Sequence, residues 1–166
     1  MLVAKHLSIT LKDVDSPKAL SLLLRDPSKL SEETLLTSTI VLEAAAEPIS
    51  GQLAVANVMR NRVARTGQSY HQVILRRKQF SCWNDLKWAE ERMHNESVNM
   101  LRQCAWIAIG ILKELIQYDS SNGADHYFNH NIVKPVWYVK NPEKVTARIF
   151  NHTFMRLIPY DKPRGV

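Results

Sequence analysis

Two runs of helical spacing stand back to back between residues 31 and 67 with a proline between them, and no other feature constrains the fold as strongly. Ser31 is suited to cap a helix, and Glu32 and Glu33 put negative charge in the first turn, where the helix dipole favours it. Leu35, Leu36, Ile40 and Leu42 carry this run to about Ala46. Pro48 ends it, because the residue before a proline is pushed away from helical angles. A second helix is predicted from about Ile49 to Ala64, on Ile49, Leu53, Ala56 and Val63 with Val55 and Val58 beside them. Gly67, within a polar stretch, marks the turn that follows.

Beyond that turn the pattern loosens. Tyr70 to Leu75 is a short apolar segment that runs into Arg76-Arg-Lys78, and an aromatic stretch, Phe80-Ser-Cys-Trp83, comes next. A third helix is predicted from about Val98 to Tyr118 on Met100, Leu101, Cys104, Ile107, Ile111, Leu112 and Leu115. Asn122-Gly123 is a strong turn dipeptide. Residues 124–158 are aromatic and β-branched, a composition that favours short strands or irregular loops. Residues 1–30, punctuated by Pro17 and Pro27, read as a lead-in with one short helix in the apolar stretch from Ala19 to Leu24. The fold class is therefore α+β and mostly helical. With 166 residues and 45% hydrophobic content there is room for one compact domain, expected over residues 31–166 after the lead-in 1–30.

The formal net charge is +6, which suits attraction either to nucleic-acid phosphates or to an anionic cell envelope. The basic residues are scattered apart from 76–78 and form no nucleic-acid recognition motif, so no nucleic-acid partner is expected. The two cysteines, Cys82 and Cys104, lie outside any CxxC pattern and are expected to be unpaired and partly buried. The six histidines are scattered without zinc-ligand spacing, so neither a metal nor another cofactor is expected. No stretch approaches the roughly 18 apolar residues that would span a bilayer. The opening residues, broken by Lys5 and His6, do not read as a secretory signal. A monomer made in the cytoplasm, and acting elsewhere after release, is the expectation.

The chemistry concentrates in Ile40-Val-Leu-Glu-Ala-Ala-Ala-Glu-Pro48. Glu43 sits among aliphatic residues and alanines, surroundings that disfavour a charged carboxylate and suit a proton donor. Glu47 lies four residues on, which along one helix would set both carboxylates on the same face, about 5–6 Å apart at Cβ.

The order of motifs says more than the spacing. Glu43-Ala-Ala-Ala-Glu-Pro48 followed by Gly51-Gln-Leu-Ala-Val-Ala-Asn-Val-Met-Arg-Asn-Arg-Val63 resembles the opening of the SleB/CwlJ cell-wall hydrolase domain. Four further elements follow in the family's order: Gln79-Phe-Ser-Cys-Trp83, Gly123-Ala-Asp-His-Tyr127, Pro135-Val-Trp137 and Asn151-His-Thr-Phe154. The resemblance covers about residues 35–157. Three positions depart from it: alanines fill the space between the glutamates where the family has a basic residue and a glycine, Asp125 replaces a threonine, and Phe150 replaces a glycine.

What the resemblance implies is a lysozyme-like catalytic domain that cleaves peptidoglycan glycan strands, with Glu43 as the essential acid. The associated reaction is lytic transglycosylation, which needs no second carboxylate. Hydrolysis of the lysozyme type on the same fold is the alternative, with Glu47, Asp119 or Asp125 as the second group, and Asp125 beside His126 could position a water. A non-catalytic basic wall-binding or nucleic-acid-binding protein is the alternative of another class. Tyr127 is expected either to orient Glu43 or to be a half-buried strand residue. Gln79 and Ser81 are candidates for bonding the sugars' N-acetyl groups, and His126 and His152 for lining the site. Phe80, Trp83 and Trp137 are either sugar platforms or core. Asn61 and Arg62 are expected to brace the second helix. Small size, basic charge and the expected lack of export suggest a phage lysis enzyme or virion component.

Overall fold

The computed structural model describes residues 16–158. The opening stretch read for export signals, and the first half of the lead-in, lie outside the described residues.

Seven helices and a small sheet follow in the order α1 Pro17–Leu23, α2 Glu32–Ala44, α3 Ile49–Thr66, α4 Tyr70–Ile74, α5 Leu86–His94, α6 Val98–Leu112, β1 His126–Asn129, α7 Val136–Lys140, β2 Val145–Ile149 and β3 His152–Met155. The α2 helix is the axis of the molecule. Ser31 caps it by accepting from the Thr34 amide, Glu32 and Glu33 occupy its first turn, and nearly every residue from Thr34 to Ala44 is buried. A helix buried on every side is an interior one, and its Thr34, Thr37, Ser38 and Thr39 hydroxyls are buried with it. Helices α3, α4, α5 and α6 surround it.

Helix α3 starts one residue after Pro48 and stops at Gly67, which takes the left-handed conformation (φ 67°) that an L side chain resists. Gly51 is there for space: a Cβ would come within 2.9 Å of the Glu47 Cβ. Residues 16–30 join the same core through Leu20, Leu24 and Leu30, and α1 packs against α5.

Three expectations are corrected. Helix α6 ends at Leu112, not near Tyr118. Glu114 turns left-handed (φ 55°), and the amides of Leu115 and Ile116 both bond back to the Gly110 carbonyl at 2.8 and 3.0 Å. Ile116 then closes over Gly110, where a Cβ would meet its Cδ1 at 2.4 Å. The β-branched run at 136–139 forms the short helix α7 rather than a strand. Its Trp137 and Tyr138 rings pack on Phe128 at 5.5 and 4.9 Å, a tertiary contact that overrides extended propensity. Helix α5 was not among the expected elements; Asp85 caps it by accepting from the Trp88 amide.

The sheet is antiparallel in the order β1-β3-β2, with Tyr127 opposite Phe154 and Asn129 opposite His152. A register shift at Val145/Ala147 bends β2. The central β3 is buried along its length, so the sheet lies against the helices and carries β1 to the end of α2. Cys82 and Cys104 are both buried and both free.

Candidate active site

Glu43 stands on the last turn of α2, where the axial helix leaves the core and opens into a cleft of about 650 Å³. Two elements distant in sequence grip its carboxylate. From β1, the Tyr127 hydroxyl donates to Oε2 at 2.7 Å. From the turn at 81–83, the Cys82 amide donates to Oε1 at 3.0 Å, with the Ser81 hydroxyl at 3.4 Å from the same oxygen.

Tyr127 is held as a phenol. Burial first, and then the neighbouring Glu43 carboxylate, push its ionisation well above the ordinary tyrosine value. It is therefore a donor at any physiological pH. Its ring is fixed by Phe154 at 5.7 Å and by His152, which meets it edge-on at 5.1 Å.

The cleft has walls of different character. Pro135, Val133 and Trp137 form an apolar side, and Gln79, Lys78 and Arg62 a polar one. His126 stacks at 5.4 Å from Trp137, and His126 and His152 both reach the lining. Burial holds His152 below the usual histidine value, although Glu47 and Glu43 pull the other way.

Of the residues singled out from the sequence, Glu43, Gln79, Ser81, His126, Tyr127, Trp137 and His152 meet in this one cleft. Others do not. Phe80 is 2% exposed and packs in the core, with the Arg62 guanidinium 5.0 Å above its ring. Trp83 donates its indole N–H to Thr39 at 3.1 Å and anchors the 81–83 turn to α2. Neither lines the cleft.

The candidate second carboxylates are turned away from the cleft and engaged elsewhere. Helix α2 ends before Glu47, so the two glutamates do not share a helical face. Glu47 accepts from the Asn151 side chain at 3.0 Å and from its amide at 3.3 Å, tying the helix junction to the β2–β3 turn. Asp119 accepts from Asn61 at 2.9 Å and from the amides of Ser121 and Gly123 at 2.8 and 2.9 Å.

Asp125 is fully buried. One oxygen accepts from His126 Nδ1 and the Leu157 amide, both at 2.7 Å; the other accepts from the Ile158 amide at 2.9 Å and pairs with Arg65. Burial alone would raise its pKa, but the bonds from His126, Leu157 and Ile158 outweigh it and hold the group below the usual carboxylate value. Such a carboxylate has no oxygen left to position a water.

Arg62, Lys78 and Val133 line the cleft without having been assigned to it from the sequence. Arg62 does brace α3, through Nε to the Asp125 carbonyl at 2.5 Å, and also reaches Gln79 Oε1 at 3.0 Å. Its position inside the Asn61-Arg62-Val63 motif was the one available signal. Lys78 belongs to the basic run 76–78, whose place beside Gln79 could serve to hold an anionic wall; nothing in the spacing pointed to Val133.

An interior helix that delivers one carboxylate into a cleft, over a three-stranded sheet, is the plan of a lysozyme-like enzyme. The sequence pattern of the cell wall hydrolase family matches residues 46–155, and the chain belongs to that family: it is a peptidoglycan-degrading enzyme. The matched span opens just after Glu43.

Two solved structures share the fold. The catalytic domain of the SleB protein from Bacillus cereus is 23% identical, with 75% of this chain and 89% of that one covered and a TM-score of 0.57. The catalytic domain of the germination-specific lytic transglycosylase SleB from Bacillus anthracis is 21% identical, with 75% and 93% covered and a TM-score of 0.58. No curated protein matches the chain.

Proposed function

We propose that the protein cleaves glycan strands between N-acetylmuramic acid and N-acetylglucosamine by lytic transglycosylation, with Glu43 as both acid and base. The observation that carries this reading is that Glu43 is the one carboxylate among the described residues lining the cleft. Hydrolysis of either stereochemistry uses two carboxyl groups flanking the scissile bond, about 5–9.5 Å apart. Glu47, Asp119 and Asp125 are occupied elsewhere.

In the proposed reaction protonated Glu43 gives its proton to the glycosidic oxygen as the bond to the muramic C1 breaks. The 6-hydroxyl of the same muramic residue then passes its proton to the Glu43 carboxylate while O6 bonds to C1. The products are a 1,6-anhydro ring and a free 4-hydroxyl; no water is consumed and the enzyme returns to its starting protonation state. Tyr127 and the Cys82 amide hold the carboxylate in place through both transfers. The lytic transglycosylase named above shares this fold, which adds support. The +6 charge favours adsorption to an anionic wall.

The test is a digest of purified peptidoglycan by wild type and Glu43→Gln, with products identified by mass spectrometry. Anhydro-muropeptides from wild type alone are expected. Reducing-end muropeptides in their place would refute transglycosylation in favour of a lysozyme-type reaction. Equal activity in Glu43→Gln would remove Glu43 from the chemistry altogether.

A further inference from the structure

Beside the cleft, and sharing Arg62, Gln79 and His126 with it, lies a hollow of about 40 Å³ that Arg76, Gln68 and Thr66 complete. It has room for a carboxylate but not for a sugar ring, given the 10–15 Å³ or so that one water needs by this measure. Among the described residues no acidic side chain lines it.

Its lining is basic, with Arg62 and Arg76 both on it. Arg62 is 7% exposed, yet it donates to two neutral oxygens, the Asp125 carbonyl and the Gln79 amide. A buried cation is costly unless an anion or full hydrogen bonding compensates it. Burial disfavours the Arg62 charge; the nearby Asp125 and Glu43 support it, and Arg76, on the same hollow, opposes it.

The backbone places Arg76 there. Residues 76–79 form a turn closed by the Gln79 amide on the Arg76 carbonyl at 3.1 Å. Lys78 sits in the left-handed region (φ 64°), which is unusual outside glycine and asparagine. That turn sets Arg76 on the hollow and Lys78 on the cleft, with Gln79 on both.

We propose that this hollow is an anion subsite for the free carboxylates of the stem peptide that branches from N-acetylmuramic acid, and that Arg76 with Arg62 makes the enzyme prefer peptide-bearing strands over bare glycan. The inference rests on the cleavage reading above: a strand lying in the cleft carries its peptides off the muramic residues, and the hollow shares a wall of Arg62, Gln79 and His126 with that cleft. A carboxylate there would face two guanidiniums, neither of which is ion-paired with a carboxylate among the described residues.

The experiment compares peptide-bearing strands, free of other wall polymers, with the same strands stripped of peptides by an amidase. Wild type, Arg76→Gln and Arg102→Gln are assayed on both. Arg102 is an exposed cation on α6, so its variant controls for lost charge alone. Arg76→Gln should raise KM about three- to fivefold on peptide-bearing strands, the range of one exposed ion pair. On stripped strands it should match wild type. Raising the salt should shrink the wild-type preference toward that of Arg76→Gln. Equal loss on both substrates, no loss on either, or the same loss from Arg102→Gln would overturn the subsite. Wild type cleaving neither substrate would instead refute the cleavage reading, and the subsite with it.

Discussion

Asp125→Asn separates a structural carboxylate from a catalytic one. In the folded protein the Asp125 carboxylate receives four donors: His126 Nδ1, the Leu157 and Ile158 amides, and Arg65. Asparagine offers one acceptor oxygen and turns an NH₂ toward two of those donors. It also leaves Arg65, with its side chain only 5% exposed, without its carboxylate. Breaking a buried pair from one side costs about 3–5 kcal/mol, and the donor clash puts this case near 4. For a chain of this length about 1 kcal/mol moves Tm by about 2–4 °C, so Tm should fall by about 8–16 °C. The assay is thermal unfolding by circular dichroism, beside peptidoglycan clearing at a temperature where both proteins are folded. Arg65→Met added to Asp125→Asn should recover part of the loss, since replacing a whole pair costs less than breaking it. A Tm within about 2 °C of wild type, or activity lost while the fold is intact, would refute the structural reading and return Asp125 to the chemistry.

Three further predictions follow from the same contacts. Tyr127→Phe removes the 2.7 Å bond to Glu43, and at about 1–2 kcal/mol should lower kcat about 5- to 30-fold with little change in KM; an unchanged kcat would mean that Tyr127 is only a packing residue. Stability should fall with acid in two stages, read from urea midpoints. Burial lowers the folded His152 below 6.5, so the unfolded chain takes the first proton and stability drops as pH falls below about 6.5. Asp119 and Asp125 are lowered too, so their contribution is present above about 3.9 and is lost as pH falls toward their folded values. A flat profile from pH 7.5 to 5, or no flattening of that stage in His152→Gln, would contradict the first stage. Phe150 is left-handed (φ 46°) and 66% exposed. Phe150→Gly relieves about 1–2 kcal/mol of strain against about 0.4–1 of added unfolded-state entropy, so Tm should rise by a few degrees; a fall would show that the ring's remaining contacts outweigh the strain.

Local signals determined the helical frame. Ser31 and Pro48 mark the starts of α2 and α3 to the residue, because caps and breakers act over one turn and need nothing distant; the ends fall at Ala44 and Thr66, two residues from those expected. The aromatic, β-branched character of 124–158 likewise announced the sheet. The motif order brought Glu43, Gln79, Ser81, Tyr127 and Trp137 to notice before any coordinates. Tertiary structure decided the rest, wherever two options with the same local pattern differ only in what lies across the core. Trp137 is in a helix because Phe128 is there to receive it. Helix α6 stops at Leu112 because Ile116 closes on Gly110. Phe80 is core and Trp137 lines the cleft, though both are aromatics in motifs. Above all, nothing in the spacing tells Glu43 from Asp125. Burial and hydrogen-bond partners 32–84 residues away in sequence separate them, leaving Glu43 facing the cleft and giving Asp125 to Arg65 and the chain beyond β3. Those are long-range quantities that no local pattern carries.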